Sequence, residues 1–340
     1  MKNSTNSISP FVITKENLKL YLVQKGLLKK GEQAVIVPLD GGFVNPIFRV
    51  TNTTKDFVVK QAMESSSKIA SFTKLARERS GYEFQFLRLI RERLSHCVRV
   101  PQVFLYDSAN FILVEEAVTP HAKLYWNELP EGRFHFDVAH QLGIYVAGLQ
   151  NMSYNDPVLK AQFLENPGYR VRELSIIPAF EKYPQHQQRF EEAMIKNRKN
   201  AWCLVDADIT PKNMLVHDGT FTKIDFEIMQ YGDPALDIGI VIAHFLIYCF
   251  PHPQWKEEYL ACAQLFWDAY QKQVAFSLPK AFFCNMKNYL ALMIIGRIDA
   301  VSIYPWMNEK QAQVRVAAVE IFDTDVKNID EIAAIVWKYI

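Results

Sequence analysis

The stretch Leu204 to Asp237 reads LVDADITPKNMLVHDGTFTKIDFEIMQYGDPALD. It sets Asp208 five residues before Asn213, then closes an apolar run on Asp225-Phe226-Glu227, then adds Gly232-Asp233-Pro234. Phosphoryl transfer asks this of a protein: a carboxylate to orient the attacking hydroxyl, and an amide and a second carboxylate to hold Mg²⁺. Met214-Leu215-Val216 and Phe221-Thr222-Lys223-Ile224, joined through His217-Asp218-Gly219-Thr220, predict a hairpin that returns Asp225 to the neighbourhood of Asp208. Taken singly, Asp208 and Asn213 read as turn residues and Asp225 as a strand end; the ordered set points to a site.

The wording of this block resembles the signature of the aminoglycoside phosphotransferase and choline kinase group, small-molecule kinases with a protein-kinase-like fold. Their pattern is close to HGDxxPxNxL, then IDFE, then GDPAxD. Here it stands as Asp206-Ala207-Asp208-Ile209-Thr210-Pro211-Lys212-Asn213, Ile224-Asp225-Phe226-Glu227 and Gly232-Asp233-Pro234-Ala235-Leu236-Asp237. The resemblance implies an α+β, two-lobed fold with a small antiparallel-sheet N-lobe and a larger, mostly helical C-lobe. It implies ATP and Mg²⁺ as cofactors, Asp208 as the catalytic residue, and Asn213 and Asp225 as metal ligands. Glu227 is read either as a further metal ligand or as a salt bridge inside the large lobe. The family's His is Asp206 here and its Gly is Ala207. That His orients rather than reacts, so the departure bears on rate and loop geometry, and a kinase-like binding module with little turnover stands as the alternative to an enzyme.

The chain has 340 residues, nearly half of them apolar, enough for a sizeable core in one large or two apposed domains. Thirty-eight Lys and Arg against 37 Asp and Glu leave a charge of +1, which argues against nucleic acid or an anionic membrane surface as partner. Cys97, Cys203, Cys249, Cys262 and Cys284 show no metal-binding spacing and read as reduced core thiols of a cytoplasmic protein, a monomer or homodimer. Residues 1–10 are polar and read as a frayed terminus. Ile238 to Phe250 is apolar but short of the ~20 residues that span a bilayer, so a buried helix is expected.

Upstream, Thr14 caps a helix whose stripe is Leu18, Tyr21 and Leu22 and which stops at Gly26. Ala34–Leu39, Ile47–Thr51 and Phe57–Gln61 predict a three-strand meander. Gly41, Gly42 and the following Asn45 occupy the place where backbone N–H groups can approach ATP phosphates. Lys60 is a lone cation in the apolar strand Phe57-Val58-Val59-Lys60-Gln61, like the phosphate-binding Lys of V-A-I-K. Buried, it needs an acid. A helix over Lys74–Leu94 offers Glu83, on one stripe with Leu87, Ile90 and Leu94, whereas Glu78 is turned roughly 140° away.

Val100–Tyr106 and Phe111–Val114 complete the small lobe, and Glu115 to Ala117 is where the chain crosses and offers backbone groups to adenine. The expected division is 11–116 as the nucleotide-binding lobe and 117–340 as the helical lobe. Arg170-Val171-Arg172 and Lys196-Asn197-Arg198-Lys199 read as solvated helix faces. Arg297-Ile298-Asp299 reads as an acceptor-side or internal ion pair. Only Ile228 to Tyr231 separate Glu227 from Gly232, too few for a peptide-docking segment, so the expected acceptor is a small-molecule hydroxyl. Aminoglycosides, choline-like amines, methylthioribose and homoserine-type metabolites all serve proteins of this resemblance.

Overall fold

The computed structural model describes residues 11–39, 44–66, 68–300 and 309–340. The frayed-terminus reading of 1–10 and the phosphate-loop reading of Gly41 and Gly42 lie outside the described residues. The N-terminal part runs α1 (Lys15–Gln24), β1 (Val35–Pro38), β2 (Ile47–Thr51), β3 (Asp56–Gln61), α2 (Arg79–Arg93), β4 (Val103–Asp107) and β5 (Ile112–Glu116). Its five strands pair antiparallel in the order β1-β2-β3-β5-β4. Thr14 accepts from Asn17 N–H and Asn17 reciprocates, which fixes where α1 begins. Leu18, Tyr21 and Leu22 then pack on Phe48, Val50, Phe57, Val59, Ile112 and Val114, a small core of alternate strand residues.

The sequence predicts a helix from Lys74, but it begins at Arg79. Lys74 sits at φ +56°, a left-handed conformation that helix cannot continue through. The inward face of α2 (Phe86, Leu87, Ile90) joins the main core of the molecule rather than the small sheet core, so the helix is held by the large lobe's packing.

The rest comprises β6 (Lys123–Leu124), α3 (Tyr125–Glu128), α4 (Phe136–Asn151), α5 (Pro157–Phe163), α6 (Tyr169–Ile176), α7 (Gln187–Lys199), β7 (Cys203–Val205), β8 (Met214–His217), β9 (Thr220–Lys223) and β10 (Gln230–Gly232), then α8 (Ala235–Leu246), α9 (Lys256–Gln273), α10 (Phe282–Asp299), α11 (Gln311–Asp323) and α12 (Ile329–Trp337). The hairpin β8–β9 turns on Asp218 and Gly219, both at positive φ, as a two-residue turn requires. Every residue of α8 is buried, as the apolar run from Ile238 demands. No helix among the described residues is long and apolar enough to cross a membrane. Cys203, Cys249 and Cys262 are core thiols, but Cys284 is exposed and Cys97 only half-buried, which corrects the reading of all five as core residues.

Candidate active site

β7 delivers Asp206-Ala207-Asp208 to the mouth of a cleft of about 600 Å³, and the β8–β9 hairpin delivers Asp225 and Glu227 to the same cleft. Asp208 is half-buried. One of its carboxylate oxygens takes a hydrogen bond from Asn213 Nδ2 (2.8 Å) and the other is paired with the Arg172 guanidinium. Burial pushes the Asp208 carboxyl up, but Arg172, with Lys223 and Arg297 beyond it, more than offsets this and holds it below the usual carboxylate range. Asp208 is therefore ionised and aimed by two donors.

Arg172 corrects the sequence reading. It is buried on α6, not solvated, and also donates to the Ala207 carbonyl from Nε (3.1 Å) and Nη2 (2.6 Å). Its helix can lie this close because Gly168 precedes it: a Cβ there would stand 1.9 Å from the Glu227 carbonyl oxygen. Asn166 completes the join, donating to the carbonyls of Glu227 (3.0 Å) and Met229 (2.5 Å).

Asp206, where the family carries His, is fully buried. It pairs with Lys223 Nζ (3.2 Å) and accepts from Tyr145 Oη (2.9 Å) and from the Asp208 N–H (3.2 Å). Lys223, also fully buried, donates onward to the carbonyls of Ile224 (2.8 Å) and Asp225 (3.1 Å). One buried ion pair thus ties the Asp208 loop to the Asp225 loop. The Asp237 carboxylate receives the N–H groups of Asp206 and Ala207 (both 2.8 Å), which gives the terminal Asp of Gly-Asp-Pro-Ala-Leu-Asp a structural task. Ala207 (φ +59°) and Asp225 (φ +63°) both hold left-handed backbone, at roughly 1–2 kcal/mol each for non-glycine residues, and this network holds them there.

On the opposite wall, Lys60 Nζ lies 2.9 Å from Glu83 Oε1 and 2.6 Å from Asp225 Oδ1. Burial works against the charged amine, but Asp225 and Glu83 together raise its pKa well above the ordinary lysine value. Glu227 is bound by Arg79 Nε (3.0 Å) and Asn45 Nδ2 (2.8 Å), and Arg79 Nη2 donates to Asn45 Oδ1 (2.6 Å). The salt bridge of Glu227 therefore runs to the start of α2 and not within the large lobe. Glu83, Asp225 and Glu227 bring carboxylate oxygens within 4.8 Å of one another, and Glu83 Oε2 is buried without a hydrogen-bond partner among the described residues. Asn213 is bonded to Asp208, and its carbonyl accepts from the N–H of Ile224 (3.0 Å), next to Asp225.

At the crossover, Glu115 is buried and lines the cleft. Burial, and then the Glu83 carboxylate, push its carboxyl up to about 8. The folded state thus binds this proton more tightly than the unfolded chain does, so stability falls as pH rises from the unfolded value of about 4.3 through 8. Glu115→Gln removes that linkage; in urea melts at pH 5 and pH 9 the variant should gain on the wild type toward pH 9. Ala117 N–H is engaged by the Asp56 carbonyl at 3.3 Å.

Arg297 and Asp299 are not partners of each other. Asp299 is held by Arg315, Lys182 Nζ (3.1 Å) and Tyr183 Oη (2.6 Å), while Arg297 lines the cleft and donates to His244 Nε2 (3.2 Å).

The family model described as the phosphotransferase enzyme family matches residues 35–273. The methylthioribose kinase of Escherichia coli O45:K1 is 26% identical over 253 residues, 66% of this chain, and the chain spans only 60% of that protein's length. The 4-hydroxytryptamine kinase of Psilocybe cyanescens is 27% identical over 281 residues, 72% of this chain and 75% of that protein. Among solved structures, a streptomycin–ATP ternary complex of APH(2'')-IIa covers 92% of this chain and 99% of its own at 17% identity and TM-score 0.51. Plasmodium vivax ethanolamine kinase covers 97% and 91% at 13% identity and TM-score 0.52. At such identities these likenesses speak to the fold, which is kinase-like. With the family model spanning well over half of the residues and the Asp208, Asn213 and Asp225 constellation built as described, the chain belongs to the phosphotransferase enzyme family.

Proposed function

We propose that the protein is an ATP- and Mg²⁺-dependent phosphotransferase that moves the γ-phosphoryl group to a hydroxyl of a small molecule. The observation that carries this is the convergence, in one cleft, of an ionised and doubly anchored Asp208 with the Lys60, Glu83 and Asp225 cluster. Asp208 orients the acceptor hydroxyl and takes its proton as the O–P bond forms, while Lys60, held by Glu83, binds the nucleotide phosphates. Asn45 braces the phosphate side through Glu227, and the Glu115–Ala117 crossover lies along the adenine edge.

The hard oxygen donors of Asp225 and Glu227, with Asn213 from the Asp208 side, suit Mg²⁺, and the partnerless Glu83 Oε2 beside them fits a cation in that corner. When bound, the ion neutralises phosphate charge. The chain's own contribution is positioning: Lys223 ties the Asp206–Asp208 loop to Asp225 and Asn166 holds the Glu227 segment, so that Asp208 and Asp225 line one cleft. The alternative of a binding module with little turnover rests on Asp206 replacing His; the burial of Asp206 against Lys223, in a pair that ties the two loops together, favours the enzyme.

Asp225→Asn should weaken Mg²⁺-ATP much more than metal-free ATP, by about tenfold against less than twofold. Thermal-shift titrations with and without Mg²⁺ read this difference. Equal losses would make Asp225 structural, and no ATP consumption across a panel of small alcohols, amino alcohols and hydroxy acids would overturn the reaction itself.

A further inference from the structure

The Glu115 side chain lines the cleft, and the residue is only 7% exposed. Among the described residues its carboxyl has no hydrogen-bond or ion-pair partner; it meets other charges only at longer range. A polar group taken out of water is normally hydrogen-bonded, and one left without a partner destabilises the fold. A bound molecule can supply what the chain does not.

Strand pairing fixes where along the cleft this carboxyl stands. In the antiparallel pair β3–β5, Lys60 lies opposite Leu113 and Val58 lies opposite Glu115. Residues directly opposite share a face of the sheet, as do residues two apart on one strand, so Val58, Lys60 and Glu115 share the face that lines the cleft. Glu115 is therefore displaced about 7 Å along the strand from the level of Lys60. With Lys60 on the phosphates, that displacement sets Glu115 beside the base, immediately before the crossover at Glu116 and Ala117.

The charges facing the carboxyl are Glu83 from α2, Lys60 from β3 and Asp225 after β9. Burial, and then Glu83, raise its pKa to about 8 against the pull of Lys60, so at neutral pH it is mostly protonated. A protonated carboxyl offers one acceptor and one donor. Adenine presents the matching pair, a 6-amino donor and the N7 acceptor, whereas a 6-oxo purine presents two acceptors there. Ionised, the carboxyl still accepts from the amino group and repels a 6-oxo oxygen, so both forms favour adenine.

Resting on the phosphotransferase reading, the geometry points to the Glu115 side chain as a reader of the nucleobase: its carboxyl takes a hydrogen bond from the 6-amino group of adenine and selects against 6-oxo purines. Backbone groups of the crossover hold the N1 edge and leave this corner of the ring to the side chain just before them. Glu115 is then a specificity-determining residue for the phosphoryl donor.

The test titrates the whole chain calorimetrically, with Mg²⁺ and without acceptor, against three diphosphates that carry no γ-phosphoryl group: ADP, inosine diphosphate and purine riboside diphosphate, which has no substituent at position 6. The wild type should bind ADP tenfold or more tighter than either of the others. Glu115→Leu should cut the ADP advantage over the unsubstituted purine by fivefold or more, a comparison in which the crossover's own contribution cancels. The same variant should bind inosine diphosphate no more weakly than the wild type does, an opposite sign that a merely structural role would not produce. Glu115→Gln, which keeps one acceptor and one donor, should hold the advantage within twofold. Wild-type affinities alike for the three nucleotides, an undiminished ADP advantage in Glu115→Leu, or a loss in Glu115→Gln as large as in Glu115→Leu would overturn the inference and leave the phosphotransferase reading in place. No binding of any nucleotide by the wild type would overturn both.

Discussion

Asp208→Asn should lower phosphotransfer by ~10²-fold or more while nucleotide affinity stays near wild type and the chain still folds, at a reduced melting temperature because the buried Arg172 loses its anionic partner. The side chains are nearly isosteric, but the amide has lost the charge and one acceptor. Its NH₂ would face one of two donors already in place, Asn213 Nδ2 or the Arg172 guanidinium. The protein would keep its cleft and lose the group that draws the proton from the acceptor. Steady-state ADP release with the best acceptor of the panel measures the effect. An unchanged kcat would remove Asp208 from the chemistry and leave it a loop anchor.

Asp206→His should unfold the chain more easily by about 3–5 kcal/mol, the usual consequence of removing one member of a buried ion pair. The resemblance to the family signature leads to the opposite expectation, that the change is tolerated, because that pattern has His at this place. In this chain, however, Lys223 is fully buried against Asp206, and Tyr145 and the Asp208 N–H use the same carboxylate. A histidine would offer Lys223 no negative charge. The double change Asp206→His with Lys223→Met should recover much of the loss, because it removes the stranded cation as well. Urea melts of the two variants decide the point; a single variant as stable as the wild type would show that the pair contributes nothing.

Much of the fold was legible because it rests on local composition and turn chemistry: the strands β2 and β3, the Asp218-Gly219 turn and the Thr14 cap. Glu83 was reached by helical phase, and it does point at Lys60. Arg172 and Arg79 were missed for a physical reason. A charged residue in a charged stretch looks solvated, and their partners stand 36 and 148 positions away, where no periodicity connects them. Lys223 had a signal that went unused. It is a lone cation at the end of an apolar strand, the same pattern that singled out Lys60, and the same demand for an acid leads to Asp206. The fate of Arg297 and Asp299 was open because adjacent charges on a helix diverge by the helical turn, which sends one to the cleft and the other to α11.

The Arg79 guanidinium, fully shielded at the start of α2, is a brace between two parts of the chain that are distant in sequence. It touches Asn45 beside the sheet and Glu227 beside the catalytic loops, so separating those two surfaces would strand a bare charge in protein. Asn45 and Glu227 thus behave as one unit at this corner, although 182 positions of chain separate them.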